Sequence, residues 1–194
     1  MTGKREQAPD WNRLFEFALG QAGLFTTKQA AEAGYSPQLL IHYLHIGKVV
    51  RLRRGVYRLV HYPQGQDEAL VTVWLWSEQQ GVFSHETALA LHQLSDVLPS
   101  RLHLTLPTTW KQRRLRVPPG VVIHHAALDD AERTWPAAVP VTSPLRTLTD
   151  CAAAQLAPDL LQQAIAQALE RGLIRKSDLA RIQKASVAKA PRTR

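Results

Sequence analysis

The chain has 194 residues, 24 of them Lys or Arg against 16 Asp or Glu, for a formal net charge of +8; its 45% hydrophobic content excludes a disordered chain and leaves room for two small domains, each with a core. One cysteine, Cys151, excludes an intramolecular disulfide framework, and its Ala-rich apolar surroundings read as those of a buried, inert thiol. The basic balance points to a polyanionic partner. No apolar run reaches the ~20 residues of a membrane span, and the charged start from Met1 to Trp11 has no apolar segment behind it, so neither membrane nor secretory signal is expected and the compartment is the cytoplasm.

In chain order, Asp10 stands where an N-cap belongs, ahead of a helix whose Trp11, Leu14, Phe15, Ala18 and Leu19 form an apolar stripe. Thr26 caps a second, short helix holding Ala30 and Ala31, which Gly34 stops. Ser36-Pro37 opens a third with an N-cap followed by Pro at the first helical position. Leu40, Tyr43 and Leu44 recur at helical spacing and face a core, leaving Gln38, Ile41, His42 and His45 outward. After Gly47 come two short β-forming runs, with Val50 and Leu52 before Arg54-Gly55 and Val56 and Leu59 after it. Lys48, Arg51, Arg53, Arg54 and Arg58 are set among them with no acidic residue between. Helix, turn, helix and basic hairpin in this order is the plan of a winged helix-turn-helix, spanning residues 1–65. Its outward helix face suits base edges and its hairpin suits phosphates. The open alternative is a solvated hairpin on a protein-docking module.

His61 to Gly65 is turn chemistry and marks the expected domain boundary. Residues 66–183 read as an α+β domain with a small sheet between helices. Its parts are a helix from Asp67 to Gln80 closed by Gly81, a helix capped by Ser84 and ending near Ser95, and a strand RLHLTLP. Leu102, Leu104 and Leu106 lie on one side of that strand, with Arg101, His103 and Thr105 on the other. A basic connection with Trp110, Lys111, Arg113, Arg114 and Arg116 offers a secondary basic surface and leads to a strand VVIHH at Val121 to His125. An extended piece AAVPVTS follows, then helices opening at Ser143-Pro144 and at Pro158, and an amphipathic piece from Ser177 to Ile182. Residues 184–194 read as a basic, disordered tail.

The run GLFTTKQAAEAGYSPQLLIHYLHIGKVVRLRRGVYRL, then FSHETALALHQLSD, RLHLTLP, VVIHHA and VPVTSPLRTLTDCA in that order, resembles the AbiE-type abortive-infection antitoxins, a family of bacterial transcriptional regulators. The likeness spans roughly Gly23 to Leu173. It implies the antitoxin of a type IV toxin–antitoxin module: a winged helix that represses its own operon by binding operator DNA, as monomer or dimer, and a second domain that counters a nucleotidyltransferase-like toxin without a stable complex. Carried onto this chain, the DNA face comprises Thr26, Thr27, Lys28, Ser36, Gln38, Ile41, His42, His45, Lys48, Arg51, Arg53, Arg54 and Arg58.

An enzymatic reading has little in the sequence to stand on. A metal-dependent nuclease needs carboxylates followed by a lysine, and no Asp-x-Lys or Glu-x-Lys occurs. No GxxxxGK or GxGxxG loop is present for a nucleotide. His124 and His125 point to opposite faces of a strand and have no Cys or acidic partner at ligand spacing, so no metal site is assigned. His85-Glu86 reads as a helix start, and Arg146 and Asp150 as a hydrogen-bonding pair on one helix face. The expectation is therefore no catalytic residue and no cofactor. The alternative is a nucleic-acid-docking enzyme or adaptor, such as a divergent nuclease, acting through the second domain.

Overall fold

Local sequence accounts for the start of each of the first three helices in the computed structural model, which describes residues 8–188. Asp10 accepts a hydrogen bond from the Arg13 N–H and opens α1 (Trp11–Leu19). The buried face of α1 runs through Leu14 and Ala18, with Phe17 packed beside them. Phe15 and Leu19, expected in the stripe, are exposed. So many of this helix's nine residues are apolar that two stripes are possible, and packing selects the one that continues into buried Gln21.

A short strand, β1 (Leu24–Thr26), then leads into α2 (Thr27–Glu32), which Thr26 and Gln29 open with a reciprocal capping box. Ser36 accepts from the Leu39 N–H and Pro37 takes the first position of α3 (Pro37–His45). The wing is β2 (Val49–Arg53) and β3 (Val56–Leu59), turning at Arg54-Gly55 with Gly55 at φ +81°. The three strands form an antiparallel sheet in the order β1-β3-β2, a pairing that the hairpin reading lacked. One core gathers Leu14, Phe25, Ala30, Leu40, Val49 and Tyr57 between helices and sheet.

The chain divides into two compact units between Gln79 and Gln80, not at the turn after the wing. Helix α4 (Glu68–Trp76), which the sequence reading placed in the second domain, therefore falls with the first. It packs on β1 and β3, its Glu68 pairs with Arg58 of β3, and Gln79 just beyond it donates a hydrogen bond to the Gln21 side chain. The turn-rich stretch from His61 to Gly65 is a loop inside the first unit. The helix stops at Trp76, earlier than expected, since Glu78 and Gln79 take positive φ.

The second unit is built on a five-stranded mixed sheet in the order β6-β5-β4-β8-β7. Its elements in sequence are β4 (Val82–Phe83), α5 (His85–Leu91), β5 (Leu102–Leu106), β6 (Val121–His125), β7 (Arg133–Thr134), β8 (Val141–Thr142), α6 (Pro144–Ala153), α7 (Pro158–Glu170) and α8 (Leu179–Ala188). Strands β5 and β6 run parallel, with Leu104 opposite Ile123 and Thr105 opposite His124. Parallel neighbours need a long connection, and residues 107–120 supply it. The helices pack Leu89, Leu148, Cys151, Ala164, Ala168 and Ile182 into a second core.

Residues 184–188, expected in the disordered tail, are the last turn of α8. Buried Ile182 and half-buried Ala185 anchor the turn in the core, and Gln155 donates to the Ser186 carbonyl. The rest of the expected tail, and most of the charged start, lie outside the described residues. No helix among the described residues is long and apolar enough to cross a membrane.

Candidate functional site

Helix α3 is fixed by aromatic contacts on its inner side. Tyr43 stacks on Trp11 of α1 at 5.8 Å between ring centroids and meets Tyr35 edge-on at 5.3 Å, while Leu40 is buried. Burial, with Tyr43 and Asp10 nearby, pushes the Tyr35 phenol up to about 12, so it stays neutral. The opposite side of the helix presents Gln38, Ile41, His42 and His45, all exposed, with Ile41 at 53% of its full accessibility. Such an array can reach hydrogen-bonding base edges and a thymine methyl in a major groove.

The other expected DNA-face residues sort by what already holds them. Thr27 and Lys28 are exposed at the start of α2, where the Thr27 N–H donates to the Gly55 carbonyl at 3.0 Å and ties the wing tip to the helix. Arg51 and Arg54 are exposed on the wing and Arg53 is half-buried. A bulge between Arg51 and Arg53 breaks the ladder and brings the Arg51 Nε to the Arg53 carbonyl at 3.4 Å. Lys48 is exposed, with its ammonium 5.3 Å from the Tyr43 ring centroid and 5.9 Å from that of Trp11.

Three side chains have structural duties. Thr26 and Ser36 spend their hydroxyls on helix caps. Arg58 sits on the central strand of the sheet and its guanidinium meets Glu68 of α4 at 3.1 Å, with side chains only 18% and 17% exposed. The alternation of β3 buries Tyr57 and Leu59 against the helical core and turns Arg58 to the other face, where α4 packs. Counting Arg58 with the wing cations overlooked that register.

The basic connection of the second unit is exposed at Lys111, Arg113, Arg114 and Arg116. Trp110, buried in a 3-10 turn at Thr108–Trp110, has the Arg113 guanidinium 3.9 Å from its ring centroid.

A histidine cluster in the second unit was missed. His85, His103 and His124 offer ring nitrogens that all lie within 4.8 Å of one another. The sequence reading looked for a Cys or acidic partner close to His124 in the chain; the neighbours it has in three dimensions are two further histidines, gathered from far apart in the chain by the parallel pairing of β5 and β6 and the packing of α5 on β5. The His103 Nδ1 is 3.1 Å from the His124 Nε2, and His85 stacks on His124 at 3.7 Å between centroids. Ser84 holds the N-cap position of α5, but its side chain makes no cap hydrogen bond. Its buried hydroxyl accepts from Thr105 at 2.8 Å and lies 2.9 Å from the His85 Nδ1. His85 itself holds φ +53°, a left-handed conformation uncommon outside glycine and tolerated by His more than by most residues. Burial lowers the His103 imidazole below its ordinary value, opposed by Glu86 and aided by Arg101. A cavity of about 180 Å³ adjoins the cluster, lined by His85, Glu86, His103, Cys151 and the chain from Ala154 to Ala157.

Cys151 is buried and its thiol is pushed far up, first by burial and then by Asp150 and Glu86, which leaves it protonated. Arg146 bridges Asp150 and Glu132 at 2.9 Å each, and Arg181 adds a 3.1 Å contact to Glu132, a charge network within the second unit.

Three helices closed by a basic two-stranded wing make the first unit a winged helix. Residues 12–60 of it match the family described as transcriptional regulator, AbiEi antitoxin, in agreement with the resemblance carried by the N-terminal motifs. The match ends at the wing, and the motifs quoted for the second unit lie beyond it. Among solved structures the chain is similar to the RV2827C protein from Mycobacterium tuberculosis, with 20% identity, coverage of 92% of this chain and 76% of that one, and a TM-score of 0.48. No curated protein matches the chain.

Proposed function

We propose that this chain is a sequence-specific DNA-binding repressor of its own operon and the antitoxin of a type IV toxin–antitoxin module, active in the cytoplasm against a nucleotidyltransferase-like toxin with which it forms no stable complex. The observation that carries the DNA-binding part is the outward face of α3, with exposed Gln38, Ile41, His42 and His45 beside exposed Arg51 and Arg54, inside the segment that matches the regulator family. The helix reads base edges, the wing and Lys28 hold phosphates, and the net charge of +8 favours encounter with DNA. The antitoxin part rests on the family description of residues 12–60.

The test is a gel-shift comparison of operator and random duplex with the Gln38→Ala, His42→Ala double variant. A lost bidentate contact to adenine costs about 1–3 kcal/mol of discrimination, so operator binding should fall roughly 5- to 150-fold while random binding holds. Equal loss on both duplexes would mean that α3 positions the protein without reading sequence. Co-expression of the full chain with a nucleotidyltransferase-like toxin tests the antitoxin role, and unrelieved toxicity would refute it.

A further inference from the structure

Three imidazoles from three different elements converge beneath the start of α5, beside a cavity and backed by a buried pair of hydroxyls. We propose that His85, His103 and His124 are the protein ligands of a site for a borderline divalent transition ion, zinc being the representative, with a fourth position open to the adjoining cavity. This site belongs to the second unit and is independent of the DNA-binding reading.

The donor set selects the class of ion. Three neutral nitrogen donors suit zinc, cobalt, nickel or copper, whereas calcium and magnesium call for oxygen ligands, and no carboxylate belongs to the cluster. The spacing fits as well. Zinc–nitrogen bonds of ~2.0–2.1 Å at tetrahedral angles place ligand nitrogens roughly 3.4 Å apart. The His103 Nδ1 and His124 Nε2 already stand at 3.1 Å, and no pair of donors exceeds 4.8 Å. Two of the ligands ride on hydrogen-bonded neighbouring strands and the third begins the helix packed on β5, so the backbone already holds the three side chains together.

The surroundings supply what a ligating histidine needs behind it. Ser84 and Thr105 are buried, and with Thr105 donating to the Ser84 oxygen that oxygen keeps a second lone pair for a proton on the His85 Nδ1. This tautomer leaves the His85 Nε2 as the metal donor, the usual division between ligand nitrogen and supporting hydrogen bond. The cavity of about 180 Å³ has room for a water or an exogenous ligand at the fourth position, with Glu86 on its wall. Cys151 shares that wall, but its sulfur is not in the group of donor atoms that lie within 4.8 Å of one another.

The experiment is calorimetric titration of the full-length, chelator-treated chain with zinc chloride, paired with cobalt(II) absorption spectra. One zinc per chain is expected, with the intense visible bands of four-coordinate cobalt. His103→Asn and His124→Asn should each weaken zinc binding by more than roughly 100-fold, and Ser84→Ala by roughly 10- to 100-fold. His125→Asn, on the opposite face of β6, should leave it unchanged. No uptake of zinc, or uptake that the His103 and His124 variants leave intact, overturns the proposal. Should a variant fail to fold, the imidazole nitrogen resonances of the wild-type chain decide: those of His85, His103 and His124 must shift on zinc addition while His125 holds, and unmoved signals overturn the site.

Discussion

Replacing Arg51 and Arg54 together by Ala removes the two exposed arginines of the wing and leaves its fold standing. Arg54 caps no helix, and Arg51 makes only a 3.4 Å contact to a neighbouring carbonyl. If each cation neutralises one phosphate, the slope of log affinity against log salt falls by roughly 0.9 per contact, or about 1.8 for the pair. Between ~50 and ~200 mM salt, a fourfold change, the wild-type chain should then lose about 12-fold more affinity than the variant. Gel-shift titrations across that range on operator and random duplex measure the slope. The effect should be the same on both, since phosphates carry no sequence information. An unchanged slope would take the wing off the phosphate backbone, and a loss confined to the operator would make these arginines base readers.

Arg58 provides the counter-case. Arg58→Ala should leave the salt slope unchanged and lower stability by about 2–3 kcal/mol, below the ~3–5 kcal/mol for breaking a fully buried pair because the Glu68 carboxylate it strands keeps some solvent contact. Arg58→Met with Glu68→Leu should recover most of that in urea unfolding, and no recovery would mean that the pair does more than satisfy its own charges. His92 makes the second unit sensitive to acid. Burial lowers its imidazole below the ordinary 6.5, outweighing its hydrogen bond to the Thr142 carbonyl, with Arg171 adding to the shift. Above 6.5 both folded and unfolded forms are neutral; as pH falls below it the unfolded chain takes the proton first, so stability drops from there toward the folded value. Urea midpoints with chelator at pH 7.5 and 5.5 should show this drop, and His92→Gln should reduce it; an equal drop in the variant would assign the effect elsewhere.

Signals that act within a few residues were legible in the sequence. Asp10, Thr26 and Ser36 cap as their chemistry dictates, Pro37 starts α3, and Leu40 with Tyr43 sets which face of α3 points outward. Contacts between distant residues were not. Strand β1 is three residues long and exists only because β3 pairs with it, and the burial of Arg58 follows from the face of that pairing. Ser84 takes the N-cap position of α5, as Ser before a helical run usually does, yet its hydroxyl meets Thr105 and His85 and makes no cap bond. The histidine cluster draws on residues 85, 103 and 124, whose only common signal in one dimension is that the latter two lie on successive strands.

Helix α4 changes where this protein can be cut. A fragment that stops after Gln66 reaches past the wing but leaves behind Glu68 and the buried run from Val71 to Leu75, stripping the cover from one side of the β1-β3 pair and stranding the charge of Arg58. Such a piece would fail in a DNA-binding assay for want of a fold, and the failure would be mistaken for a need of the second unit. Dissection, domain fusion and the transplanting of this reader onto another effector all belong after Gln79.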